Sequence, residues 1–132
     1  MWVPLIESGE HLSDGANYFV EKYLTELLTR DPLIDTIILG CTHYPLLQPK
    51  IEAFLSSIAH SQSPVTNHHR SVVSQGSIVA DSFADYLHRH PEFSQDSKGG
   101  ACKYLTTESA AKFSESASIF LSEPITAHHI EL

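Results

Sequence analysis

The segment from Thr36 to Leu55, TIILGCTHYPLLQPKIEAFL, constrains the fold more than any other. Thr36 to Leu39 is an unbroken apolar, β-branched run. A run without alternation suits a strand buried on both faces, as in a parallel sheet covered by helices. Gly40 then frees the backbone to turn. Leu46, Leu47, Ile51, Phe54, Leu55 and Ile58 follow at spacings of three and four, which predicts a helix with one apolar stripe. A strand that passes through a short polar word into a helix is the elementary step of an α/β fold.

The rest of the chain repeats that alternation. Trp2 to Ile6 reads as the end of a strand or an extended entry, followed by a turn at Ser8-Gly9-Glu10. Ala16, Phe19, Val20, Tyr23, Leu24, Leu27 and Leu28 mark an amphipathic helix capped by Ser13 or Asp14 and ended at Asp31-Pro32. Ser56 to Arg70 is polar and irregular, with a linker at Ser61-Gln62-Ser63-Pro64. Val72-Val73 is a short strand. A helix after Gln75-Gly76-Ser77 places Ile78, Val79, Phe83, Tyr86 and Leu87 on one face and stops at Pro91. Ser94 to Gly100 is a loop, Lys103 to Thr106 a strand, Ser109 to Leu121 a helix, and Ile125 to Leu132 a last strand or tail. The expected class is α/β with mostly parallel pairing. The chain also opens abruptly on apolar residues, so a truncated start is expected.

Charge removes several functions. The net charge is −8 with only 8 Lys and Arg, too few for the basic footprint of a nucleic-acid binder or for docking on an anionic membrane. No apolar run approaches the roughly 20 residues of a membrane span, and the N-terminus lacks the basic and apolar regions of a secretory signal. Cys41 and Cys102 therefore read as free thiols of a reducing cytoplasm. The histidine pairs His68-His69, His88/His90 and His128-His129 lack metal-site spacing and read as surface residues, with a histidine metal site as the minor alternative.

Cys41 falls at the carboxyl end of the predicted strand, where open α/β sheets bind ligands. Amides at the start of the following helix would favour an anion there, either a substrate carboxylate or the Cys41 thiolate. His43 could add positive charge or carry a proton, and Thr42 offers a hydroxyl and an amide to a carboxylate. Taken alone, each residue has a plainer reading. A cysteine at a strand end is ordinarily a small buried hydrophobe. His43 by itself is a structural histidine, and Glu7 a surface carboxylate. Cys102 has no neighbouring base and reads as structural or incidental.

The word ILGCTHYPLL, Ile38 to Leu47, closely resembles the C-terminal signature of glutamate racemase, in the cofactor-independent aspartate/glutamate racemase superfamily. Val3-Pro4-Leu5-Ile6-Glu7 resembles the segment upstream of that signature. Ser74-Gln75-Gly76 and Leu105-Thr106-Thr107 resemble the family's tail, so the likeness spans essentially the whole chain. The resemblance implies a bacterial, cytoplasmic isomerase that supplies D-glutamate for peptidoglycan, and so for the cell wall and cell shape, with neither pyridoxal phosphate nor metal. One thiolate removes the α-proton of glutamate, and a second thiol returns a proton from the opposite face. Cys41 matches the cysteine that acts on L-glutamate. Thr42 matches a carboxylate contact, with His43 beside it in the substrate site. His43 and Glu7 match residues that assist proton transfer at that cysteine.

The family's Asp-Ser-Gly, Pro-Tyr-Gly and Cys-Asn-Thr segments are absent here, and Cys102 matches no motif that would replace the first catalytic cysteine. The expectation is therefore the C-terminal half of a two-lobe fold. Residues 1–62 would form the second half of the middle lobe and carry the GCTHYP motif. Residues 63–132 would return to the first lobe. Such a chain leaves sheet edges and helix faces uncovered, which invites self-association, a homodimer at its simplest. It should need the missing N-terminal half for a full site and be inactive alone. Two alternatives remain: a racemase of a related substrate, aspartate or a hydantoin, and a non-catalytic fragment with an interaction role.

Overall fold

The computed structural model describes residues 1–61, 70–93 and 101–132. The linker expected at Ser61-Gln62-Ser63-Pro64, the pair His68-His69 and the loop Ser94–Gly100 lie wholly or mainly outside them. The described residues form two compact units, Met1–Phe83 and Ala84–Leu132.

The first unit opens with helix α1, Trp2–Glu7, where the sequence reading expected extended chain. Short apolar runs do not distinguish strand from helix by composition. The spacing decides it: Ile6 is buried and Trp2 and Leu5 pack on the same core, a three–four pattern. Pro4 is tolerated because it lies in the first turn, where an amide has no helical acceptor. Gly9, at φ 76°, then turns the chain through a left-handed conformation that suits glycine.

Helix α2, Asp14–Arg30, begins where Ser13 accepts a hydrogen bond from the amide of Ala16, the first of the two caps expected. Its stripe Ala16, Val20 and Leu24 is buried. Strand β1, Thr36–Leu39, and helix α3, Gln48–Ser61, supply Ile37, Leu39, Ile51 and Leu55 to the same core. Burying side chains of this size stabilises by about 1.5–3 kcal/mol each relative to exposure, so this core holds the unit together.

Strand β2, Ser71–Ser74, pairs parallel with β1, with Ile37 beside Val72 and Ile38 beside Val73. Ile37 and Val72 face the core, whereas Ile38 is 66% exposed. Burial of β1 on both faces is thus corrected: among the described residues one face is covered and the other is bare. Helix α4, Gln75–Arg89, follows β2 directly and has no buried residue.

In the second unit, strand β3, Tyr104–Thr106, helix α5, Ala110–Leu121, and strand β4, Ala127–His129, form a parallel β–α–β step. The Ser114 and Ser118 hydroxyls accept hydrogen bonds from the amides of Ala127 and Ile125, both at 2.9 Å. The same hydroxyls donate to helical carbonyls one turn back. The α/β class with parallel strands is therefore as expected. No helix among the described residues is long and apolar enough to cross a membrane.

Candidate active site

The end of β1 makes the site. Leu39 is buried, and Gly40 carries the chain out of the strand to Cys41. The amide of Tyr44 then donates to the Cys41 carbonyl at 3.2 Å, and that of Leu46 to the His43 carbonyl at 3.1 Å. These bonds close a tight 3-10 turn, Tyr44–Leu47, with Pro45 in its first positions. The helix whose apolar stripe was expected from Leu46 therefore starts only at Gln48, and part of the amide set expected to hold an anion is used within the turn.

The turn brings His43 back over Cys41, with Cys41 Sγ 3.8 Å from His43 Nδ1. Thr42 Oγ1 lies 3.5 Å from the same nitrogen. On the other side of the ring, His43 Nε2 lies 3.2 Å from Glu7 Oε1. Glu7 is the last residue of α1, so helix α1 delivers the carboxylate and the β1 turn delivers the imidazole. His43 is 24% exposed and Glu7 61%. A pair this open to water contributes only about 0–1 kcal/mol to stability, so its consequence is orientation. If Nε2 carries the hydrogen donated to Glu7, Nδ1 presents its lone pair to the thiol. The arrangement can accept a proton from Cys41 and restore it.

All four residues singled out from the sequence, Glu7, Cys41, Thr42 and His43, thus meet at one place in the first unit. Cys102 is an exposed free thiol in the second unit. The phenol of Tyr104 is raised above its ordinary value, chiefly by a side-chain hydrogen bond with Cys102, then by burial and by electrostatic repulsion from Cys102 and Glu123. His90 pairs with Glu92 at 2.7 Å and stacks on Tyr86, and His129 donates to the Glu108 carbonyl at 3.0 Å. Among the described residues, no group of three His, Cys, Asp or Glu side chains could hold a metal.

Two supporting contacts escaped the sequence reading. Trp2 meets Tyr44 edge-on at 4.9 Å and so pins α1 beside the turn. Lys50 donates to the carbonyls of Leu12 and Ser13 and to Asn17 Oδ1, tying α3 to the junction between α1 and α2. The helical spacing of Trp2, Leu5 and Ile6 was a readable signal for the first. The second joins residues more than thirty positions apart and has no local signature.

Comparison with known proteins places the likeness of the chain among glutamate racemases. No protein-family model matches the chain. Glutamate racemases of Ruegeria pomeroyi and Cereibacter sphaeroides are each 38% identical to it over 94% of its length, covering 40% of their own. That of Listeria monocytogenes is 33% identical over 99% of the chain and 45% of its own length. The crystal structure of glutamate racemase isoform RacE1 from Bacillus anthracis superposes on 98% of the chain with a TM-score of 0.70 and 26% identity, over 44% of that structure. The resemblance read from the GCTHYP word therefore holds over nearly the whole chain. The chain spans about 40% of the length of the first curated relatives it matches.

Proposed function

We propose that this chain supplies one half of a glutamate racemase site and that Cys41 is its proton-transferring group. The line of contacts from Glu7 through His43 to Cys41 at the end of β1 carries this reading. His43 takes the thiol proton at Nδ1 while Glu7 compensates the charge gained at Nε2. The thiolate then breaks the Cα–H bond of L-glutamate and forms S–H, leaving the electron pair on Cα next to the carboxylate. A thiol on the opposite face, from polypeptide beyond the matched region, donates its proton to that carbon. Thr42 holds the α-carboxylate with its hydroxyl and amide. General acid–base groups placed this way accelerate proton transfer by about 10²–10⁴-fold.

By the same resemblance, the residues fall into parts of two lobes, 1–62 and 63–132, of a bacterial cytoplasmic enzyme. It makes D-glutamate for peptidoglycan, and thereby for the wall and cell shape. Its partner is the small-molecule substrate, with no nucleic acid or membrane, and a full site requires the complementary half. The relatives named above are glutamate racemases, and no observation favours aspartate or a hydantoin. The exposed apolar faces favour one second reading, an interaction role without chemistry.

A chimera decides between these readings. This chain replaces the matched portion of the Ruegeria pomeroyi glutamate racemase, and the chirality of glutamate is followed with time. Racemisation that Cys41→Ala removes is expected. A folded, inactive chimera would exclude the catalytic reading.

A further inference from the structure

Helix α1 meets the site turn at both of its ends. Its last residue, Glu7, puts Oε1 3.2 Å from His43 Nε2. Its first, Trp2, sets the indole edge-on to the ring of Tyr44, with centroids 4.9 Å apart. His43 and Tyr44 are consecutive, so one short turn touches α1 at two separated points. Trp2 also meets Tyr23 of α2 at 5.9 Å, and so stands between that helix and the turn. The two end contacts differ in strength. The Glu7–His43 pair is too open to water to hold a helix in place. Leu5 and Ile6 seat the end of α1 nearest Glu7 on the core, but a helix this short does not keep its own seat without packing along its length. A roll of about 20° at the roughly 5–6 Å radius of a helix surface moves a side-chain tip by about 2 Å, enough to part Glu7 from His43. Trp2 resists that roll from the far end. It does so at a cost, because its Nε1–H is buried and has no hydrogen-bond acceptor among the described residues. An orphaned buried donor destabilises, and an apolar side chain would pack there without one. Stability alone therefore does not account for an indole at this position. We propose that Trp2 is a positioning residue of the proton-transfer line: its contact with Tyr44 sets α1 so that Glu7 stays on His43, and through them it acts on Cys41. The reaction it serves rests on the racemase reading, whereas the placement of Glu7 does not.

The test reads placement and turnover separately. In the full chain, nuclear Overhauser contacts between the Glu7 methylenes and the His43 ring report the placement. They should be present, lost in Trp2→Leu, and kept in Trp2→Phe, which retains an aromatic edge without the orphaned donor. Tyr44→Leu removes the same contact from the turn side and should lose them too, which gives the reading again should Trp2→Leu unfold. Leu28→Ala loosens the same core from α2 and should keep them. In the chimera, Trp2→Leu should lower kcat for L-glutamate at least about tenfold with KM nearly unchanged, as a misplaced group of the transition state would. Trp2→Phe should keep most of the activity. In a Glu7→Gln background Trp2→Leu should cost nothing further, because both act along one line. Overhauser contacts that survive both Trp2→Leu and Tyr44→Leu would overturn the inference. So would losses from Trp2→Leu and Glu7→Gln that multiply, or a Leu28→Ala variant that matches Trp2→Leu in both readings. An inactive chimera whose Glu7–His43 contacts still answer to Trp2 would keep the placement and remove the catalytic reading.

Discussion

The two units solve the same problem, fastening a helix to a parallel strand pair, by different means. In the first, Val20, Leu24, Ile51 and Leu55 close over Ile37 and Leu39 as a dry core. In the second, only Ile125 and Ala127 are buried among the described residues, and two serine hydroxyls tie α5 to β4 and to the segment just before it. A net hydrogen bond contributes about 0.5–1.5 kcal/mol, less than one well-buried leucine. The unit that carries Glu7, Cys41, Thr42 and His43 is thus the one with the stiffer base. Cys41 is two residues from buried Leu39, so the thiol inherits its position from the core. A site needing sub-ångström placement is better built there.

The largest expected effect breaks the comparison at its chemical end. In the active chimera, Cys41→Ala should cost at least about 10²-fold in turnover of L-glutamate, while Cys102→Ala should leave turnover unchanged. Equal losses would mean that the first unit has no special claim. Next comes the core. Ile51→Ala, at a fully buried position, should destabilise the first unit by about 2–5 kcal/mol in urea titration. Leu105→Ala, at an exposed position of β3, should stay within about 0.5 kcal/mol. Similar values for both would show that the second unit has a core of its own.

Caps give a finer comparison. Ser13 and Ser109 each accept an amide hydrogen bond at the start of their helix. Ser13→Ala and Ser109→Ala should each cost about 1 kcal/mol. Hydrogen exchange should show the loss confined to the first turn of α5 but shared across the first unit, where α2 is part of the core.

The smallest effect concerns Tyr104. Its folded value is raised above the ordinary 10.0, with the hydrogen bond to Cys102 as the main cause. A group raised on folding contributes stability that is full below its unfolded value and is lost as pH rises through its folded value. The second unit should therefore weaken above about pH 10. Cys102→Ala should bring the Tyr104 titration, followed by ring NMR signals, back toward the ordinary value. An unmoved titration would remove Cys102 as the cause.

Much of this was legible in the residues. The helix stripe from Ala16 to Leu24, the strand at Thr36 and the helix after Ser109 declared themselves through periodicity and caps. The word from Gly40 to Pro45 set Cys41, Thr42 and His43 side by side at a strand end, and the family resemblance gave that cluster its proposed role. Trp2–Ile6 was misjudged because five apolar residues fit strand and helix alike by composition, and the three–four spacing of Trp2, Leu5 and Ile6 went unread. The one-sided burial of β1 was illegible for a different reason. Thr36–Leu39 is written for two covered faces, and the described residues cover one. That Glu7 and His43 both serve Cys41 was expected from family resemblance alone, and their direct contact was not foreseen, since no local rule joins residues that far apart.

The central claim is that Cys41, primed by His43 and Glu7, handles the α-proton of L-glutamate. The most direct test places the chimera in D2O with L-glutamate and follows the α-hydrogen by proton NMR. Deuterium should enter, Cys41→Ala should abolish its entry from L-glutamate, and Glu7→Gln should slow it. Undiminished exchange from L-glutamate in the Cys41→Ala chimera would contradict the claim.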